Sequence, residues 1–350
     1  MSKPVEGGIF LKRQSWIIIS SYILALALLC SGCGAQAQEA AATVDPYAGM
    51  VQVESGLGTL MWAKLYDEAG LNTLDADLFY SDGTFLTYAG TDCRAKCGVD
   101  VSEHQLDIDW EAVAGAGADF AVLRAGYRGY SEGGLYEDAY FAENLTGALA
   151  AGLEVGIYFF SQAISEDEAR EEAEYALELL SAAGISDPEA LALPVFFDWE
   201  PIGTEPARTD DVSGETLTAC ALAFCEVIEA AGYSSGIYTD RYTAYYSYNL
   251  DDIAAKTLWI SAAGDAPDFY YAFDFWQYSF TGSVDGIQGE VDLDLWFIPA
   301  SEAAEATPKP EETEPTAAAE AETETADSAD AEPAALVEDV SVESAVVFDG

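Results

Sequence analysis

The 350-residue chain carries 63 acidic residues against 13 basic ones, a formal net charge of −50, with half of its residues apolar and 12% aromatic. So acidic a surface repels nucleic acid and anionic lipid, which excludes both as electrostatic partners and leaves stacking and hydrogen bonds to grip any carbohydrate. A single histidine, His104, makes a Ser-His-Asp triad improbable and excludes a His-rich zinc site, so acid–base chemistry falls to Asp and Glu with no cofactor or metal expected.

Lys3, Lys12 and Arg13 precede an apolar run from Trp16 to Leu29, followed by small residues. That is the layout of an export signal, and the run is shorter than a spanning helix requires. Cys30-Ser31-Gly32-Cys33 has the form of a bacterial lipobox that would place a lipid on Cys33. Cys30 stands where Leu is usual, and ordinary cleavage after Ala35-Gln36-Ala37 is the alternative. Residues 1–33 are therefore read as a signal peptide of lipoprotein type and 34–46 as a spacer. Residues 47–92 form a small segment whose apolar runs, Gly58–Trp62 and Thr84–Tyr88, predict a β-rich appendage or a piece packed onto the main domain.

From 93 to 299 the pattern becomes regular. Short β-rich runs stand at Gly98–Val101, Phe120–Ala125, Val155–Phe160, Leu193–Trp199, Ser235–Thr239, Leu258–Ala262, Phe273–Tyr278 and Val291–Phe297. Helical patterns at Glu137–Ala151, Glu166–Ala183 and Glu215–Ala231 separate the earlier strands. Ser165-x-x-Glu168 is a capping-box start, and Gly152, Gly184 and Gly232 mark helix ends. Strands alternating with helices predict an α/β fold with a parallel sheet, and eight strands predict a closed barrel. The last three strands have links too short for crossover helices. The expected fold is a TIM-like incomplete barrel of five βα units followed by three β-strands. Residues 300–350, rich in Ala, Glu, Thr and Pro, read as a disordered acidic tail. Cys93 and Cys97 flank Arg94-Ala95-Lys96 and are candidates for a small disulfide. Cys220 and Cys225, about 140° apart on a helix, are read as buried thiols.

The strongest chemical signal is Leu193-Pro-Val-Phe-Phe-Asp-Trp-Glu200, an apolar strand ending in two carboxylates two residues apart. Such residues share one face of a strand, so Asp198 and Glu200 point together at the end where barrels carry their sites. Two close carboxylates raise each other's pKa, and one that stays protonated can serve as general acid for glycosidic cleavage. Asp100, in Gly98-Val-Asp-Val-Ser102, closes the first strand, and Asp292 and Asp294 alternate with Val and Leu on the last. First and last strands neighbour each other in a closed barrel, so Asp100 and an acid of the last strand are placed to face one pocket.

Over Gly98 to Phe297 the chain resembles the family 25 glycoside hydrolases, bacterial and phage lysozymes that act as N-acetylmuramidases. The matching stretches are Gly98–Ser102 with Gln105, Ile108-Asp-Trp110, Arg124–Tyr130, Gly156–Ser161, Asp198-Trp-Glu200, Gly236-Ile-Tyr238, Asp274–Tyr278 and Val291–Asp294. The resemblance implies β-1,4 cleavage between N-acetylmuramic acid and N-acetylglucosamine, with Glu200 as general acid/base and Asp198 as its partner. Asp100 and Asp292 would be the supporting acids. It further implies retention through the substrate's own acetamido group, which Asp198 would orient. Tyr127, Tyr158, Tyr238 and Trp276, with Gln277 beside them, are the candidate sugar-binding residues, since Tyr and Trp offer a flat apolar face with a polar tip; Tyr278 joins them as a stacking candidate. Two departures stand out: Phe159 where many members have His, and Leu106 where Gly is expected after Gln105. The rival readings are a non-catalytic wall-binding surface lipoprotein and a chitinase-like glycosidase, the latter weakened by Phe196 where a further Asp would stand. The expected partner is the peptidoglycan glycan strand, met by a monomer outside the cell. The membrane would be reached only through the lipid anchor.

Overall fold

The computed structural model describes residues 45–81, 83–203 and 206–301. The export signal, Cys33 and the acidic tail lie outside them. The chain opens with a hairpin, β1 (Met50–Glu54) and β2 (Leu60–Lys64), then a second, β3 (Phe79–Ser81) and β4 (Leu86–Tyr88). The barrel follows as β5 (Cys93–Val101), α1 (Trp110–Gly115), β6 (Phe120–Arg128), β7 (Leu135–Glu137), α2 (Phe141–Ala150), β8 (Glu154–Ser161), α3 (Glu166–Ala182) and β9 (Val195–Trp199). It continues through α4 (Gly214–Ala230), β10 (Ser235–Asp240), α5 (Arg241–Tyr246), α6 (Leu250–Ile253), β11 (Thr257–Ser261), β12 (Phe275–Gly282) and β13 (Val291–Pro299).

The main sheet runs β5-β13-β12-β11-β10-β9-β8-β6, and pairing of β5 with β6 closes it, with β7 added antiparallel beyond the end of β5. The result is an α/β fold around an eight-stranded, barrel-like sheet. Its pairings are parallel except for the two made by β13, which is antiparallel to both β12 and β5. The expected division into five βα units is not clean. The first helix is short, β7 interrupts the second connection, and two short helices make the fifth. The sequence pattern placed a helix from Glu137; instead Glu137 ends β7, and α2 begins at Phe141.

Strand alternation sorts the side chains into two layers. One parity of each strand faces outward into the large core beneath the helices, where Ile157, Phe159, Val195, Phe197 and Ile237 lie. The other parity fills the barrel with Phe120, Val122, Phe196, Tyr238, Trp259 and Phe275, joined by Leu193 from just before β9. Both faces are thus apolar over much of their length, as expected when helices cover a parallel sheet. Helix ends follow the predicted signals. Ser165 accepts from the Glu168 N–H at 3.4 Å, while Glu168 itself accepts from Ile164 N–H rather than closing the box on Ser165. Gly152, Gly184 and Gly232 follow their helices with φ of +82°, +92° and +92°.

The N-terminal segment is packed onto the barrel. Tyr66 donates its hydroxyl to the Tyr248 carbonyl and Tyr271 donates to that of Lys64, both at 2.8 Å. Phe79 meets Trp276 and Phe297 edge-on at 5.4 and 6.1 Å. No disulfide joins Cys93 to Cys97: they lie four residues apart on β5, about 13 Å along an extended strand, beyond the reach of an S–S bond. Cys220 and Cys225 are buried thiols on α4, held near pKa 12 and 11 by burial.

Glycine stands in the barrel interior where an aromatic ring needs its space. A Cβ at Gly236 would sit 2.4 Å from the Phe196 ring, and one at Gly98 2.5 Å from that of Phe120. Gly236→Ala is therefore expected to lower stability by about 1–3 kcal/mol, the usual penalty for overpacking, read from the urea midpoint at unchanged m.

Candidate active site

Along each strand the inward-facing residues change character towards the barrel's C-terminal end. β9 runs Phe196, Asp198 and then Glu200 just past its end, β10 runs Gly236, Tyr238, Asp240, and β12 runs Phe275, Gln277. On β5 the series is Gly98, Asp100, Ser102. Because β13 runs the opposite way, Asp292 at its start lies level with Asp100, its partner in the ladder. The floor is aromatic and the mouth acidic. There the strands enclose a cavity of about 220 Å³ whose wall includes Asp100, Asp198, Glu200, Asp292, Tyr158 and Tyr238.

Hydrogen bonds order this wall. Gln277 donates its amide to Asp100 at 2.8 Å and accepts from the Tyr238 hydroxyl at 2.8 Å. That hydroxyl also lies within hydrogen-bonding reach of Glu200, so its one proton serves one acceptor at a time. Trp259 lines the cavity and donates its indole N–H to Asp294 at 2.9 Å. Asp294, at 0% exposure, sits behind the wall with its carboxyl against that of Asp100. Arg124 lines the cavity too, held by Asp138 at 2.7 Å and Glu103 at 3.0 Å.

The acids are desolvated and crowded, and every shift runs upward. Burial, then the charge of Glu200, lifts Asp198 far above the usual carboxylate range. Glu200 is raised by burial and then by Asp240. Burial followed by the charge of Asp292 lifts Asp100 from 3.8 to about 8, and burial lifts Asp292 to about 6. Asp294 is driven up by burial and then by Asp100. Carboxyls in contact within such a site resist ionising together, so burial and mutual repulsion favour a protonated member in each of the pairs Asp198–Glu200 and Asp100–Asp294. The wall therefore holds both a proton donor and a carboxylate, the two species that glycosidic cleavage uses.

Of the residues singled out in the sequence, Asp100, Asp198, Glu200, Asp292, Tyr158, Tyr238 and Gln277 converge on the cavity. Trp276 does not. It is the residue next to Gln277 and so faces the other way, fully buried outside the barrel with its indole bonded to the Ala262 carbonyl. Tyr278 is likewise directed outward and accepts from Leu86 N–H. Tyr127 is not among the wall residues; its ring stacks on its cross-strand partner Tyr136 at 5.2 Å, with the Arg124 guanidinium over it at 5.3 Å. Phe196, where a chitinase-like site would carry an acid, is part of the aromatic floor. Sequence reasoning passed over Trp259, whose Leu-Trp-Ile-Ser setting reads as plain core. Its place beside Tyr238 in the β10–β11 register is the signal that would have found it. Among the described residues no group of His, Cys, Asp or Glu has the arrangement to hold a metal ion.

The family model for the family 25 glycosyl hydrolases matches residues 99–287, a stretch that carries Asp100, Asp198 and Glu200 and ends just before Asp292. The chain belongs to that family. It is 30% identical over 220 residues to lysozyme M1 of Streptomyces globisporus, covering 59% of this chain and 69% of that protein. It is 28% identical over 199 residues to the autolytic lysozyme of Clostridium acetobutylicum, covering 56% of this chain and 54% of that one. Among solved structures it is similar to the modular autolysin LytC of Streptococcus pneumoniae, with a TM-score of 0.51 and 24% identity over 71% of this chain and 56% of that chain. The chain thus spans little more than half of two of these relatives.

Leu106 shows how this family member departs from the pattern. It keeps the glycine-type backbone, φ +55° and ψ −142°, on a side chain 53% exposed at the cavity's edge. Such strain amounts to about 1–3 kcal/mol and the flexibility of an unfolded glycine offsets part of it, so Leu106→Gly is expected to raise stability by about 1 kcal/mol in urea titration. The acids predict a pH dependence as well. Raised carboxyls hold more protons folded than unfolded, so stability falls as pH rises from about 4 to about 8 through the Asp100 pKa. Asp100→Asn should flatten that slope of melting temperature against pH, and an identical slope would detach Asp100 from it.

Proposed function

We propose that this chain is a peptidoglycan hydrolase that cleaves the β-1,4 bond between N-acetylmuramic acid and N-acetylglucosamine with retention of configuration. The observation that carries the reading is the pair Asp198 and Glu200 at the C-terminal end of β9, both with raised pKa, inside an acid-lined cavity in a family 25 chain. Glu200, less buried than Asp198, presents the proton to the glycosidic oxygen and afterwards takes one from water. Asp198, 4% exposed beside it, holds the substrate's acetamido group as that group attacks the anomeric carbon. Asp292, raised only to about 6, supports the developing positive charge as a carboxylate from the facing strand, with Asp100 beside it as a supporting acid. Tyr158, Tyr238 and Gln277 line the sugar's path, with Trp259 closing the floor.

The reading extends to the rest of the chain. The α/β barrel is taken as five βα units followed by three strands, within residues 93–299. The segment 47–92 is an appendage bound to it, and 300–350 an acidic tail. The enzyme acts outside the cell as a monomer on glycan strands, tethered through a lipid on Cys33 where the lipobox-like stretch is processed. Names of the related proteins, two lysozymes and an autolysin solved with a synthetic peptidoglycan ligand, support the substrate class.

Digestion of purified peptidoglycan, with mass analysis of reduced products, tests the reading. The native chain is expected to release muropeptides ending in reduced N-acetylmuramic acid, and Glu200→Gln to lower the rate by about 10²–10⁴-fold, the usual contribution of a general acid/base. Products ending in reduced N-acetylglucosamine would overturn the linkage. A fully active Glu200→Gln would remove Glu200 from the mechanism.

A further inference from the structure

Gln162 follows the last residue of β8, is 0% exposed, and has every polar side-chain group engaged. Its amide nitrogen donates to the backbone carbonyl of Glu200 at 2.8 Å and to that of Ser161 at 2.9 Å. Its side-chain oxygen accepts from the Thr209 hydroxyl at 2.9 Å. Its own carbonyl accepts from the Arg208 guanidinium at 3.1 Å, and that guanidinium clasps the Glu168 carboxylate with bonds of 2.9 and 2.6 Å. Glu168 and Glu172 lie one turn apart on α3. Arg128, buried beneath them, donates to the Glu168 carbonyl at 3.0 Å and to the Glu172 carboxylate at 2.6 Å.

These bonds form one continuous path from a buried ion-pair network on α3 to the main chain at Glu200. Glu200 sits where β9 has ended, at a point the sheet ladder no longer fixes. Residues beyond a ladder drift unless something else holds their backbone. We infer that Gln162 is a positioning residue for the reaction: its amide fixes the Glu200 carbonyl, and so sets where the Glu200 carboxyl stands relative to Asp198 and the cavity. Thr209 holds the Gln162 amide in the orientation that presents N–H rather than oxygen to that carbonyl. Gln162 lies outside the cavity wall, so it acts through Glu200 and not on the substrate.

The inference rests on the assignment of Glu200 as acid/base, and the test separates the two. Gln162→Met keeps the length of the side chain and removes both hydrogen-bonding groups; Thr209→Val removes only the outer anchor and is the milder variant if the first folds poorly. A misplacement of about 1 Å is enough to lower turnover about 10²-fold. Gln162→Met is therefore expected to reduce kcat by about 10- to 100-fold with KM within about threefold, and Thr209→Val to do so to a lesser degree. Neither variant should lower the residual turnover of Glu200→Gln any further, since the effect passes through that carboxyl. Carbon NMR titration of the Glu200 side chain, assigned by its loss in Glu200→Gln, reads the same displacement without substrate. Its pKa should fall towards the ordinary carboxylate value in both variants, as the group is released from its buried place. An unmoved titration overturns the inference, as does an undiminished kcat or an equal loss in the Glu200→Gln background. A native chain that leaves peptidoglycan intact while Gln162→Met still moves the titration would overturn the proposed function and leave the positioning role standing.

Discussion

Desolvation of clustered carboxyls at the mouth of an apolar barrel is the constraint on which the site depends. Asp100, Asp198 and Asp294 are buried above a floor of Phe196, Phe275 and Trp259, where an isolated carboxylate would be several kcal/mol out of place. The site meets that penalty mainly with protonation and directed donors, and with the charge of Arg124, which lowers the pKa of Asp198 against the larger effect of burial. Gln277 donates to Asp100 and Trp259 to Asp294. Among the described residues the guanidinium in the wall, that of Arg124, is already bonded to Asp138 and Glu103. A cation placed directly against Asp198 would drop its pKa and remove its proton. Holding Arg124 on Asp138 and Glu103 rather than on Asp198 itself leaves burial the larger effect and keeps the pKa of Asp198 raised.

The backbone reaches this arrangement by a reversal in the sheet. Parallel strands all deliver their C-terminal ends to one face, and β5, β9, β10 and β12 place Asp100, Asp198, Tyr238 and Gln277 there. β13 enters from the hairpin with β12 and runs the other way, so its first residues meet the last residues of β5. Asp292 and Asp294 therefore come to the mouth although they begin their strand. Closing the barrel with an antiparallel strand brings Asp292 to the mouth, where its charge raises Asp100 and Glu200, and sets Asp294 behind Asp100.

Much of this was legible in the sequence because it depends on parity within a strand. Asp198 and Glu200, at i and i+2 after Val-Phe-Phe, have to share a face, and apolar neighbours mark that face as enclosed. The same parity forbids Trp276 and Gln277 from both lining the cavity, and only the pairing with β13, which sets Gln277 opposite Asp294, decides which of them does. Tyr127 was obscured by β7, too short a strand to stand out beside a helical pattern. The packing of residues 47–92 rests on aromatic contacts such as Phe79 with Trp276, separated by most of the chain, and nothing local in either segment encodes it. Gln162 looked unremarkable because a lone amide after a strand has no pattern; its meaning comes entirely from where the end of β9 passes.

Placement of the scarce basic residues carries the same logic outward. Arg124 in the wall and Arg128 and Arg208 behind it are each neutralised by acids from a neighbouring loop or from α3. Buried guanidiniums with bidentate or multiple partners fix geometry in a way that exposed ion pairs do not. Arg128 and Arg208 join the loop after β6, the N-terminal half of α3 and the loop after β9 into one braced unit. In a chain with so large an excess of acid, positive charge at these points holds the scaffold rigid while the cavity itself stays proton-rich. A firm outer ring of ion pairs and an inner ring of protonated carboxyls are two answers to one problem: how to keep many carboxyls close together without letting the strand ends that carry them spread apart.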